Sequence, residues 1–414
     1  MVQEINYLYS LSRFGIRLGL DAMLEFSHLI GDPHNNFRSA HITGTNGKGS
    51  TSAMLYTILK QKYSTGLYTS PHIRRFNERI IVNDREIDDE FIVKWVGEKR
   101  KIIEDMASRG KQPTFFEVTT AMAFDYFRKM GVDAAVVEVG MGGRLDSTNI
   151  INPDVTGIVT VSLEHTDKLG DTLEKIAYEK AGIIKNGIPV VVGVEHQGAL
   201  NVIKDIAEKN NAILYNINEI FNVKNVSISL DGTYFHAEDE NNDYRVKIPL
   251  IGRHQIKNAL IAIKMANIFD PSLDYRKISD VKFPGRFEIK SRSPLVITDA
   301  AHNPEAAKNL SNTVEELFLR KPVVVATQLK DKNYSQFFKE ISRISDHLIV
   351  TEVKDERRKE AELLAEEAKK YVKGVKYFKD SSLAFERAYE VSDFILITGS
   401  LYLLGEFEEW LEKR

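Results

Sequence analysis

The chain has 414 residues, length for two or three domains of ordinary size. Hydrophobic residues make up 43% and charged residues 28%, the balance of a globular protein, and the net charge of −3 provides no basic field for nucleic acid or anionic lipid. The absence of cysteine excludes disulfides, cysteine–zinc sites and thiol catalysis. Residues 1–19 lack a signal-peptide pattern, and no run nears the roughly 20 apolar residues of a membrane span. A soluble, cytoplasmic protein without nucleic-acid or membrane partners is expected, a monomer by default. The basic runs 99–101 and 357–359 read as solvated helix faces.

In chain order, the first strong signal is Thr43-Gly-Thr-Asn-Gly-Lys-Gly-Ser50, between the apolar Ala40-His41-Ile42 and a run at 51–63 that reads as an amphipathic helix. Glycines at a strand-to-helix corner let backbone N–H groups approach a phosphate chain, and the helix N-terminus adds partial positive charge. Lys48 is placed to reach terminal phosphate oxygens and Ser50 an accompanying magnesium ion. The spacing departs from the common phosphate loop: Ile42 stands where its first glycine would be, and Gly49 separates lysine from hydroxyl.

Short β-branched runs then alternate with helical periodicity. Strands are expected at 39–43, 65–69, 134–139, 155–161 and 189–194, and helices at 51–63, 89–107, 114–129, 172–184 and 199–210, which together imply a mainly parallel sheet covered on both faces. Runs at 223–230, 233–237 and 244–248, separated by Asp231-Gly232 and a polar stretch, predict an antiparallel meander appended to this first domain, followed by a helix over 254–268. Phe283-Pro284-Gly285-Arg286 marks the expected boundary. Beyond it come strands at 295–298, 323–326, 347–350, 375–378 and 394–398 and helices near 304–319, 334–344, 359–372, 382–391 and 401–412, a second, smaller Rossmann-like α/β domain. The expected fold is thus a doubly wound α/β domain of phosphate-loop type over residues 1–284 and a C-terminal α/β domain over 285–414.

In such sheets ligands collect beyond the C-terminal ends of strands. Glu138 lies at one such end among Val136, Val137 and Val139, where a carboxylate needs a metal ion or a basic partner, the metal being favoured. His165 follows the next strand and either joins Glu138 at one cation or is structural; residue chemistry leaves the two readings in balance, because magnesium prefers oxygen ligands. Lys180, taken by itself, reads as a surface lysine. Pro71 disposes Ser70 to extended backbone, where its hydroxyl can coordinate metal or open a loop. Asn303-Pro304 suits a helix cap, which leaves Asp299 and His302 unexplained.

Together these segments resemble the folylpolyglutamate synthase and dihydrofolate synthase family of the Mur ligase superfamily. The resemblance is carried by residues 43–50, Thr69-Ser-Pro-His72 with Phe76-Asn-Glu-Arg79, Thr114-Phe-Phe-Glu117, 138–149, His165 with Leu169-Gly170, 179–184, 252–258, Pro284-Gly-Arg-Phe-Glu288, 299–304 and Thr398-Gly-Ser-Leu-Tyr402. It implies that Asn46, Gly47, Lys48, Gly49 and Ser50 bind ATP phosphates, with Asn258, Arg286 and Asp299 as nucleotide contacts across the domain interface. It further implies that Ser70, Glu138 and His165 are magnesium ligands, that Lys180 is carbamylated and serves a second magnesium, and that His302 and Ser400 lie near the bound glutamate and the γ-phosphate. Three mild departures are Glu164 for a frequent aspartate, Ala300 for a glycine and Met141 for a leucine.

The chemistry so implied is ATP-dependent amide ligation. A carboxylate of dihydropteroate or a folate attacks the γ-phosphorus, and the amine of L-glutamate attacks the resulting acyl phosphate, with Lys48, Lys180 and His302 as catalytic groups. The shared motifs leave dihydropteroate and reduced folate open as acceptor; residues 114–117 and 17–27 are expected to line its site. The competing readings are a Mur-type ligase for another carboxylate substrate and a nucleotide-gated binding module.

Overall fold

The computed structural model describes residues 2–15 and 19–414. Among the described residues the N-terminal part is organised by a sheet of order β4-β3-β2-β5-β1-β6-β7-β8. Its strands are β1 (Arg38–Thr43), β2 (Thr65–Tyr68), β3 (Ile80–Val82), β4 (Arg85–Glu86), β5 (Ala134–Glu138), β6 (Val155–Ile158), β7 (Val190–Val192) and β8 (Leu214–Asn216). Strands β2, β5, β1, β6, β7 and β8 run parallel, whereas β3 and β4 add an antiparallel edge. Strands β5 and β6 are buried along their whole length, and β1 is buried beyond Arg38, as expected of a parallel sheet covered on both faces. The short strands β3, β4 and β8 lie outside the sequence expectation.

The helix Lys48–Leu59 differs from its expected amphipathic character: every residue from Gly49 to Leu59 is buried. One side lies on the sheet and the other is covered by the helix His254–Phe269, which arrives from two hundred residues further along and packs in the same core. A helix enclosed on both sides needs no polar face.

The meander of β9 (Asn222–Ser229), β10 (Gly232–Glu238) and β11 (Asp243–Ile248) forms as expected. It does more than append to the first domain. Phe235, Val246 and Ile248 pack into the N-terminal core, while Ile228 and Leu230 pack against the C-terminal core. The two cores are thereby joined through one small sheet.

The C-terminal sheet has the order β12-β13-β17-β14-β15-β16, with β12 (Glu288–Arg292) antiparallel to β13 (Leu295–Asp299) and the remainder parallel: β14 (Val323–Ala326), β15 (His347–Thr351), β16 (Gly374–Phe378) and β17 (Phe394–Thr398). Strand β12 also lies outside the sequence expectation. Asp299 of β13 stands beside Thr398 of β17, so the segments after those strands, 300–305 and 399–402, emerge side by side.

Of the basic runs, Arg100 pairs with Glu104 on an exposed face as expected. The run 357–359 does not conform: it lies in a turn ahead of the helix Ala361–Ala368 rather than on a helix face, and the Arg357 guanidinium donates to the Tyr402 hydroxyl (2.6 Å) and covers that ring.

Candidate active site

The loop after β1 is built to leave a concave turn of backbone. Gly47 has φ of 85°, and a Cβ there would overlap Oδ1 of Asn258. Only glycine satisfies both conditions, so Asn258 is in direct contact with the loop. Thr45 N–H donates to Thr160 O (2.9 Å) and Asn46 N–H to the Thr160 hydroxyl (2.9 Å), anchoring the turn to the segment after β6. Lys48 opens the helix, its ammonium donating to the carbonyls of Gly44 (2.8 Å) and Thr45 (3.2 Å); Ser50 is buried one turn in.

The interposed Gly49 has a packing reason. A Cβ on it would lie 2.5 Å from the Phe283 ring and 3.6 Å from Glu138 Oε2. The helix start, the buried carboxylate and the segment leading to the C-terminal sheet thus meet at one point where no side chain fits. Arg286 lies over the Phe283 ring at 5.6 Å, and its charge bears on Glu138 and Asp299. Asp299 is held by the N–H groups of Phe287 and Ala301, both 2.8 Å away.

Glu138 is 4% exposed and accepts from the Ser70 backbone N–H (3.1 Å), which brings two of the expected metal ligands together. Burial pushes its carboxyl up, against the Lys48 ammonium and the Ser70 hydrogen bond. The Ser70–Pro71 peptide is cis. His165 sits with φ of 51° at the start of the helix Thr166–Leu169, a strained backbone for a non-glycine residue. Its imidazole is pushed down to about 4, chiefly by burial with added repulsion from Lys332 and Lys48 against the attraction of Glu164. It is therefore neutral near pH 7, with a free lone pair.

Lys180 is 3% exposed, which overturns the surface-lysine reading drawn from the residue alone. The helix Leu173–Ala181 carries it inward at its last turn. Burial, reinforced by Lys48, pushes its amine down to about 7, and its Nζ makes no hydrogen bond among the described residues. Among the described residues no hydrogen bond or ion pair joins Glu138, His165 and Lys180 to one another. What they share is Lys48, whose charge bears on all three.

The facing wall comes from the C-terminal sheet. Asn303 caps the helix Pro304–Leu317 through Ala306 N–H (2.9 Å), as its sequence suggests, and its amide also donates to Asn46 Oδ1 (2.9 Å). The Asn46 amide donates to Glu305 Oε2 (2.6 Å), which accepts from the Ser162 hydroxyl as well (2.6 Å). His302 Nδ1–H donates to Ala300 O (2.9 Å), and its Nε2 lies 3.3 Å from Glu164 Oε1. Ser400, 3% exposed, caps the helix Leu401–Glu412 at the adjacent strand end, accepting from Tyr402 N–H.

Glu164, Glu305 and Lys332 were not singled out by their residue types. Glu164 Oε1 accepts from Lys332 Nζ (2.9 Å), His302 Nε2 (3.3 Å) and Asn303 Nδ2 (3.3 Å), and so ties one sheet's loops to the other's. The strand-end rule would have flagged Lys332, which follows β14.

Among the described residues there is no group of three or more His, Asp and Glu side chains able to hold a metal ion. The expected set contributes one carboxylate, one hydroxyl and one neutral imidazole, too few for a closed protein cage but consistent with magnesium, which keeps waters and phosphate oxygens in its shell. A buried carboxylate with a single hydrogen-bond donor retains lone pairs for such an ion.

Residues 42–266 match the Mur ligase middle domain, and residues 285–401 match the glutamate ligase domain of Mur ligases. The chain belongs to the Mur ligase family. It is 34% identical to the dihydrofolate synthase/folylpolyglutamate synthase of Bacillus subtilis, over 98% of each chain. Among solved structures it resembles folylpolyglutamate synthase of Thermotoga maritima (36% identity, TM-score 0.87, 99% of this chain and 96% of that one) and the ADP complex of the Mycobacterium tuberculosis folylpolyglutamate synthase (30% identity, TM-score 0.92, 99% of both). As a member of this family it is an ATP-dependent ligase that forms amide bonds. No described helix is long and apolar enough to cross a membrane.

Proposed function

We propose that this ligase joins L-glutamate to a folate-type acceptor, dihydropteroate or a reduced folate, through an acyl phosphate, and that it does so in the cytoplasm. The observation that carries this reading is the placement of Lys48 within electrostatic reach of Glu138, His165 and Lys180, at a seam that Asn46 and Glu305 bridge. The names of its relatives supply the substrate class: an Escherichia coli relative was crystallised with DHPP and ADP.

In this reading Asn46, Gly47, Lys48, Gly49 and Ser50 cradle the ATP phosphates at the helix N-terminus, and Asn258, Arg286 and Asp299 hold the rest of the nucleotide. Ser70, Glu138 and His165 would hold one magnesium ion and carbamylated Lys180 a second, the ions offsetting charge on the phosphate oxygens. Lys48 moves from the Gly44 and Thr45 carbonyls to the γ-phosphate, stabilising the charge that develops as the acceptor carboxylate oxygen bonds to phosphorus and ADP departs. The glutamate amine then adds to the acyl carbon, and collapse of the tetrahedral intermediate expels phosphate, which carries the amine's proton away. Ser400 and His302 position the glutamate. Closure about Phe283–Arg286 shields the acyl phosphate from water.

The test is transfer of oxygen-18 from labelled acceptor carboxylate into released phosphate, in a reaction requiring both glutamate and acceptor. Label absent from the phosphate sinks the acyl-phosphate route, and phosphate release with neither substrate present would instead mark a nucleotide-gated module. Parallel incubations with dihydropteroate and tetrahydrofolate, read by product mass, fix the acceptor.

The Gly49 packing yields a separate prediction. Overpacking of this kind costs about 1–3 kcal/mol, so Gly49→Ala raises the KM for ATP by roughly tenfold or more. Phe283→Ala in the same chain makes room for the methyl group and recovers part of the loss. No recovery in the double variant would mean that Gly49 serves the phosphates alone.

A further inference from the structure

Arg79 ends the turn Phe76–Arg79 that precedes β3 and is 8% exposed. A guanidinium so deeply placed normally has a carboxylate partner, because an unpaired buried charge costs several kcal/mol. Among the described residues Arg79 has none. Its Nε donates to His72 Nδ1 (2.8 Å), and its planar head lies 5.5 Å from the centre of the Phe115 ring. His72 is no counter-charge: its imidazole accepts from the guanidinium through a ring lone pair and carries no negative charge.

The nearby acids are engaged elsewhere. Glu78 adjoins Arg79 in sequence, but its carboxylate accepts from the N–H groups of Ile73 (2.7 Å), Arg74 (3.0 Å) and Arg75 (2.8 Å). Glu138 attracts Arg79 only from beyond ion-pair distance and accepts from Ser70. Both Nη groups of Arg79 are therefore uncommitted.

The surroundings are aromatic. Tyr9 stacks on Phe115 (5.7 Å), Phe76 meets the same ring edge-on (6.2 Å) and Tyr68 stacks on Phe116 (6.2 Å). Phe115 and Phe116 remain partly exposed. Phe116 in turn lies against Gly140, where a Cβ would overlap its ring. Gly140 is two residues beyond Glu138, so the aromatic surface leads from the guanidinium to the candidate reaction centre.

We propose that Arg79 binds the non-reacting α-carboxylate of a glutamyl acceptor, fixing which of its two carboxylates is presented for phosphorylation. A fork of N–H donors matches a carboxylate in two parallel hydrogen bonds, and the flat aryl group of the acceptor suits the neighbouring rings. Dihydropteroate, whose single carboxylate must react, leaves this cation unused. The proposal rests on the reading of the chain as a ligase of folate-type acceptors and adds the group that distinguishes a glutamylated acceptor from one that is not.

The experiment compares tetrahydropteroylglutamate with its α-carboxamide, which retains the reactive γ-carboxylate. The wild-type chain is expected to prefer the acid by about 30-fold or more in kcat/KM, since a buried donor pair rejects an analogue that leaves it unmatched. In Arg79→Gln that preference falls to about threefold or less, through a raised KM for the acid with kcat changed little by comparison. Arg79→Lys lies between the two, and it carries the comparison if Arg79→Gln does not give the wild-type melting transition. An undiminished preference in the variants, or a wild-type chain that treats acid and amide alike, overturns the proposal. A wild-type chain that glutamylates neither compound overturns the functional reading instead.

Discussion

Lys180→Ala is expected to lower kcat by about a thousandfold, the scale on which removal of one preorganised electrostatic group acts in a closed site. The reason lies in its amine. Free lysine ammonium does not react with carbon dioxide; the neutral amine does, and at a value of about 7 roughly half of the Lys180 side chains are neutral at pH 7. A buried amine with no hydrogen-bond partner among the described residues, close enough to Lys48 to be repelled by it, is set up to become an anionic carbamate that reverses that repulsion. Exhaustive removal of bicarbonate should therefore slow the wild-type enzyme and its return should restore the rate, while Lys180→Ala responds to neither. A carbon-13 carbamate resonance after labelled bicarbonate, absent from the variant, checks the modification directly. Equal activity with and without bicarbonate, together with an active Lys180→Ala, would remove the residue from the mechanism.

The same shift has a stability consequence. The folded-state amine lies below its ordinary 10.5, so the unfolded chain takes up the proton first as pH falls. Above pH 10.5 the group costs nothing; from there down to about 7 the folded state loses stability progressively, and below 7 the full cost is present. In bicarbonate-free buffer at pH 7, Lys180→Met should melt at a higher temperature than wild type, with the gap closing toward pH 10.5. Activity lost and stability gained in one substitution is the mark of a group retained for chemistry.

Lys180 also shows where a sequence stops being legible. A lysine in a helix carries no local sign of burial, and its depth follows from how the helix Leu173–Ala181 packs against the sheet. The alternation of long strands and helices was readable because each element carries its own period. The strands β3, β4 and β8, of two or three residues, are too short to show a period at all, and β12 lies at a sheet edge. The run at 51–63 misled for the converse reason: its outer face is buried by the helix His254–Phe269, and only tertiary structure reveals that cover. In the site, the loop 43–50 and the strand-end residues Glu138, His165 and Asp299 could be found from topology. The contacts joining the two sheets could not, since Asn46 and Glu305 are 259 positions apart and neither is unusual by itself. The expected lining at 17–27 lies in part, Arg17 and Leu18, outside the described residues.

Glu164 is the sharpest case, a residue that reads as a mild replacement of aspartate and proves to hold the seam. One carboxylate, 12% exposed in its side chain, meets an equally buried Lys332 and the Nε2 of His302. Burial alone would raise its carboxyl, but the hydrogen bond from His302 and the Lys332 charge outweigh that and hold it well below the usual range. A depressed carboxylate contributes stability that is present above its unfolded value and lost only as pH falls through the folded one. The Lys332 pairing is thus constant across neutral pH and is lost only in acid. Removing one partner of a buried pair costs about 3–5 kcal/mol, because the other charge is left uncompensated. Glu164→Ala is accordingly expected to lower kcat/KM for glutamate by about a hundredfold, with a larger radius of gyration in solution as the sheets separate. Glu164→Asp, one methylene shorter, should lose less, since Lys332 and His302 can still approach a charge. Adding Lys332→Met to Glu164→Ala should restore the melting temperature, because the stranded ammonium is gone, without restoring activity, because the seam remains open. If Glu164→Ala instead keeps wild-type compactness and turnover, the ion pair is incidental, and closure must rest on the other contacts across the seam, among them those of Asn46 with Asn303 and Glu305.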